Sequence, residues 1–157
     1  MTYQPKNLLV TGGAGFIGSH TCVELIEAGN NVIVVDDLSA GYVEAVDRVG
    51  EITGTRPVLE VADITDAAAM ESVFARHHVD AIIHFAARKA VGESTEIPLE
   101  YFHTNVTGTV TLLQAAQRAG VGRMVFSSSC SIYGDTRADT LDEHSPPAPA
   151  NPYAWTK

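Results

Sequence analysis

Five short apolar runs divide the chain, and between them the apolar positions change from strand-like to helical spacing. The runs are Leu8-Leu9-Val10, Val32-Ile33-Val34-Val35, Pro57-Val58-Leu59-Glu60-Val61, the segment from Asp80 to Phe85, and Met124-Val125-Phe126. After the first run, Cys22, Leu25 and Ile26 mark one face of a helix that Gly29 ends. A weaker helical pattern carries Val46 and Val49 toward Gly54, and Thr65 or Asp66 caps a third helix with Met70, Val73 and Phe74 at i, i+3, i+4 spacing. The longest helix is predicted from about Leu99 to Ala119. One stripe of it holds Leu99, Phe102, Val106, Val110 and Leu113; another holds Tyr101, Leu112, Ala115 and Ala119, with Asn105 and Gly108 among them. A helix apolar on two sides is buried on two sides, one against the sheet and one against a second subunit or a further part of the protein. Strict alternation of strand and helix predicts an α/β fold: a Rossmann-type, doubly wound parallel sheet with strand order 3-2-1-4-5.

The turn after the first run reads Thr11-Gly12-Gly13-Ala14-Gly15-Phe16-Ile17-Gly18. Gly12, Gly15 and Gly18 have the spacing that lets a backbone turn sharply, approach a pyrophosphate and pack a helix closely. Gly18 shares a helical face with Cys22 and Leu25, so its lack of a side chain is expected to allow a close helix-to-strand contact. Phosphates would sit at the helix N-terminus, where free N–H groups and the macrodipole favour negative charge. Such a turn alone is weak evidence, and its context strengthens it. The second run stops at Asp36, about 20 residues on, where a dinucleotide site needs an acid for the adenosine ribose hydroxyls. A carboxylate there repels a 2′-phosphate, which favours NAD over NADP. The plainer reading of Asp36 is a strand-end turn acid beside Asp37.

Composition narrows the partners. The 157 residues make about one domain, 45% hydrophobic, with a net charge of -9 that argues against nucleic acid or an anionic membrane surface. Cys22 and Cys130 are far apart and form neither a disulfide framework nor a zinc pattern, so a reducing cytoplasm is the expected location. The polar Met1 to Lys6 stretch does not read as a signal peptide, and no apolar stretch approaches the length of a membrane span. Six scattered histidines suggest no metal site.

Ligands of such sheets bind beyond the carboxyl ends of the strands. Gly12 to Gly18, Asp36, Asp63, Phe85 to Lys89 and Ser127-Ser128-Ser129 fall there. A serine run is by itself more often a turn or a helix cap. The section from Gly134 to Pro152, with four prolines, has no periodicity and reads as a long functional or mobile loop. If a helix begins after Pro152, Tyr153 and Lys157 are i and i+4 on one face. A phenol ordinarily titrates near 10, so it needs a neighbouring cation to act as a base at neutral pH. Taken alone, such a pair would be an ordinary Tyr and Lys on a helix.

Together, the glycine turn, Asp36, the Ser-Ser-Ser-x-x-x-Tyr-Gly of Ser127 to Gly134 and the Tyr-x-x-x-Lys of Tyr153 to Lys157 resemble the extended short-chain dehydrogenase/reductases. More narrowly, the turn through Ser19-His20-Thr21, His84-Phe85-Ala86-Ala87-Arg88-Lys89-Ala90-Val91-Gly92-Glu93-Ser94 and Pro98-Leu99-Glu100-Tyr101 are similar to the UDP-glucose 4-epimerase family across essentially the whole chain. Lys-Ala-Val-Gly-Glu-Ser is the most discriminating part. The resemblance implies oxidation at sugar C4, rotation of the 4-keto sugar, and re-reduction on its other face. Tyr153 would take the 4-hydroxyl proton, Ser129 would hydrogen-bond that hydroxyl, and Lys157 would hold the nicotinamide ribose and favour the phenolate. By the same match Phe16, Ile17, Asp36, Asp37, Leu38, Ser39, Ala40, Gly41, Asp63, Ile64, Phe85, Ala86, Ala87, Lys89, Asn105 and Ser127 would line the cofactor. Arg88, where the family often has an apolar residue, and Trp155, near a common glycine, are the two visible departures. Arg88, Glu93 and Lys89 also admit a plain reading as loop charges.

Relatives of this kind continue beyond the position of Lys157 into further strands and a sugar-binding domain. The resemblance therefore implies that residues 1–157 form an incomplete NAD-binding domain, able to hold NAD with little or no turnover alone and with a last turn prone to fray. It also implies a homodimer through the Leu99 to Ala119 helix. Another NAD-dependent nucleotide-sugar epimerase or dehydratase, or a non-enzymatic NAD-responsive module, are the alternatives; a 4,6-dehydratase should carry an acid pair beside its Ser or Thr, where this chain has Cys130 and Ser131.

Overall fold

Each central strand divides its side chains between two cores. A computed structural model describes residues 6–135 and 140–157; parts of the polar N-terminal stretch and of the proline-rich section lie outside the described residues. In β1 (Asn7–Thr11) and β2 (Asn31–Asp36), Leu9, Ile33 and Val35 point to one face, where they meet Met70, Val73, Ile82, Leu112 and Ala115. Val10, Val32 and Val34 point to the other, against Cys22, Val46 and Val49. That two-sided burial is why these runs are unbroken rather than alternating. Burying each such side chain contributes roughly 1.5–3 kcal/mol.

β3 (Val58–Val61), β4 (Ala81–His84) and β5 (Met124–Phe126) complete a parallel sheet in the expected order, β3-β2-β1-β4-β5. α1 (Phe16–Glu27) and α2 (Val43–Thr53) belong to one face; α3 (Ala67–Arg76) and α6 (Gly108–Arg118) pack on each other on the opposite one. Asp66 is the cap of α3, accepting from the Ala69 amide at 3.0 Å.

The predicted long helix is present but is not a single α-helix. α5 (Pro98–Phe102) passes into a π-helical segment, His103–Thr107, before α6. The wider turn accommodates Asn105, whose side chain faces inward and is 3% exposed. Of the two stripes, Tyr101, Leu112 and Ala115 are buried, while Leu99, Phe102, Val106, Val110 and Leu113 are exposed. Ala119 belongs to neither, since it is the exposed C-cap. A short helix, α4 (Val91–Glu96), stands where periodicity predicted nothing, because only Ser94 is buried and no apolar stripe marks it.

α7 covers only Pro152–Trp155, and Asn151 caps it by accepting from the Ala154 amide at 2.9 Å. Lys157 follows the helix by two residues. Its amide bonds back to the Ala154 carbonyl at 3.2 Å, and the Thr156 amide to the Pro152 carbonyl at 3.2 Å. Among the described residues no helix is long and apolar enough to cross a membrane.

Candidate active site

The glycine turn is built by close backbone contacts. Gly12 has φ +69°, and a Cβ on it would lie 2.7 Å from the Ala86 nitrogen, so the end of β4 presses directly on the turn. A Cβ on Gly18 would lie 2.2 Å from the Gly12 carbonyl oxygen and 2.7 Å from the Gly13 Cα. Its bareness thus lets α1 pack against the turn itself, rather than against the strand as its helical face suggested. No side chain caps α1, and Phe16 and Ile17 at its start are exposed, which leaves an open helix N-terminus suited to an anion.

Asp36 acts as the strand-end turn acid, the plainer of the two readings that its position allowed. Its Oδ2 accepts from the Ala14 amide at 3.0 Å and its Oδ1 from the Leu38 amide at 2.9 Å, so it braces the glycine turn and shapes the next loop, where Leu38 has φ +61°. A carboxylate offers about four lone-pair sites, and two remain for ribose hydroxyls. Asp37 is exposed and binds the Ser39 amide and hydroxyl; Gly41 packs on Asp36, and Ser39 and Ala40 are exposed in the same loop. Asp63 shapes the turn before α3 through the Thr65 amide. Ile64 has its side chain in the core, so its backbone is what can face a ligand.

At the end of β4, Phe85, Ala86 and Ala87 are half-buried beside the turn, and Lys89 is exposed. Asn105 binds this loop twice, accepting from the Arg88 amide at 2.8 Å and donating to the Arg88 carbonyl at 2.9 Å. Its second amide hydrogen goes to the Thr156 hydroxyl at 2.8 Å, which donates to the Tyr153 carbonyl at 2.7 Å. Asn105 thus holds the Tyr153 turn. Arg88 and Glu93 pair across 3.7 Å, and the Tyr101 hydroxyl stands within hydrogen-bond distance of the Glu93 carboxylate, 2.6 Å, and the Ala90 carbonyl, 2.8 Å. Tyr101, fully buried, meets the Tyr153 ring edge-on at 6.5 Å.

Lys157 and the serine run meet at the end of β5. The Lys157 Nζ donates to the Ser127 carbonyl at 2.9 Å and stands 5.0 Å from the centre of the Phe126 ring. Burial holds its ammonium below the ordinary lysine range. Ser128 donates to the Lys157 carbonyl at 3.3 Å. Ser129 caps a 3₁₀ turn, Cys130–Tyr133: its Oγ accepts from the Ser131 amide at 3.2 Å and shares a hydrogen bond with the Ser131 hydroxyl at 2.8 Å. The serine run is therefore a turn cap and a strand-end group together. Cys22 is inert, its thiol pushed up to about 12 by burial.

Three polar residues in this region were not singled out by the sequence reasoning: Thr11, Thr109 and Thr156. His84 was seen only as part of a longer motif. A signal existed, since β1 and β4 each end their apolar run in a polar residue, and the two are direct partners in the sheet register.

Residues 9–157 match the family described as GDP-mannose 4,6 dehydratase. The chain belongs to that family. Within it, the chain is 50% identical over 150 residues to a UDP-glucose 4-epimerase of Bacillus subtilis, covering 96% of this chain and 44% of that protein. A UDP-glucose 4-epimerase of Drosophila melanogaster is 47% identical over 160 residues, with 98% and 46% covered. Among solved structures, the fold superposes with a TM-score of 0.93 on a UDP-glucose-4-epimerase from Stenotrophomonas maltophila with bound NAD and formylated UDP-arabinopyranose, at 48% identity over 97% of this chain and 45% of that one. The TM-score is also 0.93 for the enzyme from Bifidobacterium longum in complex with NAD+ and UDP, at 41% identity and covering 96% and 45%. The chain thus spans less than half the length of these relatives.

Proposed function

We propose that the protein carrying this sequence interconverts UDP-glucose and UDP-galactose, using NAD held along residues 1–157. The observation that carries the reading is the Lys157 to Ser127 bond, which brings the Tyr153 turn to the strand ends that also present the glycine turn. Ser127 follows β5 and Gly12 follows β1, two strands apart or about 10 Å, a span that a dinucleotide bridges. The chain fits that cofactor: an uncapped helix N-terminus faces the pyrophosphate position, and Asp36 keeps lone pairs for the adenosine ribose. Leu38 to Gly41, Asp63 and the Phe85 to Lys89 loop line the same strand ends. Asn105 serves by holding the loop and the Tyr153 turn, since its amide hydrogens are both taken by protein partners.

Bound NAD supplies a reversible hydride acceptor. The protein residues manage the proton and the position. Tyr153 takes the proton of the sugar 4-hydroxyl and later returns it, Ser129 orients that hydroxyl, and the Lys157 cation favours the phenolate. The family description names a dehydratase, but loss of water from the sugar needs an acid at the leaving hydroxyl. The residues after Ser129 are Cys130 and Ser131, which favours epimerisation. The exposed stripe of Leu99, Phe102, Val106, Val110 and Leu113 is the face through which two copies pair.

The test is the full-length protein with UDP-galactose. UDP-glucose should form, and Tyr153→Phe should lower the rate by about 10²–10⁴-fold while NAD stays bound. A wild-type protein that releases a dehydrated sugar, or that leaves UDP-galactose unchanged, overturns the reading.

A further inference from the structure

His84 is 1% exposed and is bonded at both ring nitrogens, to the Thr11 hydroxyl at 2.6 Å through Nδ1 and to the Thr109 hydroxyl at 2.9 Å through Nε2. The directions of these bonds are fixed by the outer partners. The single proton of the Thr109 hydroxyl goes to the Asn105 carbonyl at 2.5 Å, so toward His84 this oxygen only accepts. Nε2 therefore carries the imidazole proton, Nδ1 accepts, and the Thr11 hydroxyl donates to it. Thr11 in turn receives the Ala86 amide at 3.4 Å. One directed chain of bonds then runs from the β4 loop through Thr11, His84 and Thr109 into the π-helical turn. Asn105 stands in that turn and ties down Thr156 and, through it, the Tyr153 carbonyl.

We propose that His84, as the neutral Nε2–H tautomer, is a positioning residue that locks the π-helical turn so that Asn105 holds the Tyr153–Lys157 segment in register with the strand ends. The claim rests on the epimerase reading for its kinetic part only. The ring suits this role because it must stay uncharged: burial, then the nearby Lys157 charge, push it down to about 4. A protonated ring would have no acceptor for Thr11. His84 touches neither substrate nor reacting atom in this scheme; it acts through Asn105.

Two variants separate the role from bulk packing. Thr109→Val keeps the shape and removes the acceptor of Nε2–H, whereas Thr109→Ser keeps the hydroxyl. In the full-length protein, Thr109→Val should lower kcat about ten- to a hundredfold, the cost of a misplaced base, with KM and NAD content unchanged. Thr109→Ser should restore the rate. Independently of turnover, ¹⁵N spectra of the imidazole should show a neutral ring protonated at Nε2, and amide exchange at Thr156 should quicken in Thr109→Val but not in Thr109→Ser. A ring protonated at Nδ1, a Thr109→Val enzyme with wild-type kcat, or a serine variant as slow as the valine one would each overturn the proposal. Should the wild-type protein convert no UDP-sugar, the epimerase reading fails, and the spectra and exchange rates still decide the positioning role.

Discussion

Replacing Gly18 by alanine tests the packing of the glycine turn. In a helix, alanine is favoured over glycine by about 1 kcal/mol, so propensity alone predicts a gain. Geometry predicts the opposite. The new methyl would lie 2.2 Å from the Gly12 carbonyl oxygen and 2.7 Å from the Gly13 Cα. Both obstacles are backbone, so no rotamer change relieves them, and α1 must retreat from the turn by close to an ångström. Overpacking of this kind costs about 1–3 kcal/mol, which outweighs propensity and leaves a net loss of up to about 2 kcal/mol. For a domain of this size that corresponds to roughly 4–8 °C in Tm at the upper end. Gly92 in α4 is the control, because a Cβ there meets nothing within 4 Å; Gly92→Ala should be neutral or gain up to about 1 kcal/mol. Thermal unfolding of both variants and a calorimetric NAD titration read the outcome. The retreat also moves the helix N-terminus from the anion position, so NAD affinity should fall in Gly18→Ala alone. A Gly18→Ala protein that melts no lower than wild type and binds NAD equally well would refute the turn geometry.

Asn105→Ala strips the Arg88 amide and carbonyl of their side-chain partner. Arg88 is exposed enough for water to replace part of the loss, so the cost should sit near the lower end for unsatisfied groups, about 1–2 kcal/mol by urea unfolding. The rate on UDP-galactose should fall much further than stability does. Acid should destabilise the fold through His84, whose folded pKa of about 4 lies below its ordinary value of 6.5. Between those values the unfolded chain binds a proton that the folded one refuses. Stability is therefore full above pH 6.5 and falls by about 3 kcal/mol as pH drops to 4. His84→Gln should lose that slope in a pH series of denaturant melts, and an unchanged slope would show that another group carries it.

The strand order, the glycine turn and the buried Tyr101, Leu112 and Ala115 stripe were legible because each follows from a local period or spacing. Leu9 and Val10 lie on opposite faces whatever the rest of the chain does. What the sequence hid depends on pairings across long separations. Thr11 meets His84 over 73 residues, and Asn105 meets Thr156 over 51; no local pattern reports either. The same reason explains why the long helix was read as uninterrupted. Leu99 to Ala119 has an apolar period that continues through His103–Thr107, and the wider π turn arises from the inward amide at 105, which is set by its bonds to Arg88 and Thr156. Polar residues at the ends of apolar runs are thus the places where local reading stops. In this fold those ends coincide with the carboxyl edge of the sheet, so the residues hardest to assign from the sequence, Thr11 and His84, stand directly beside the glycine turn.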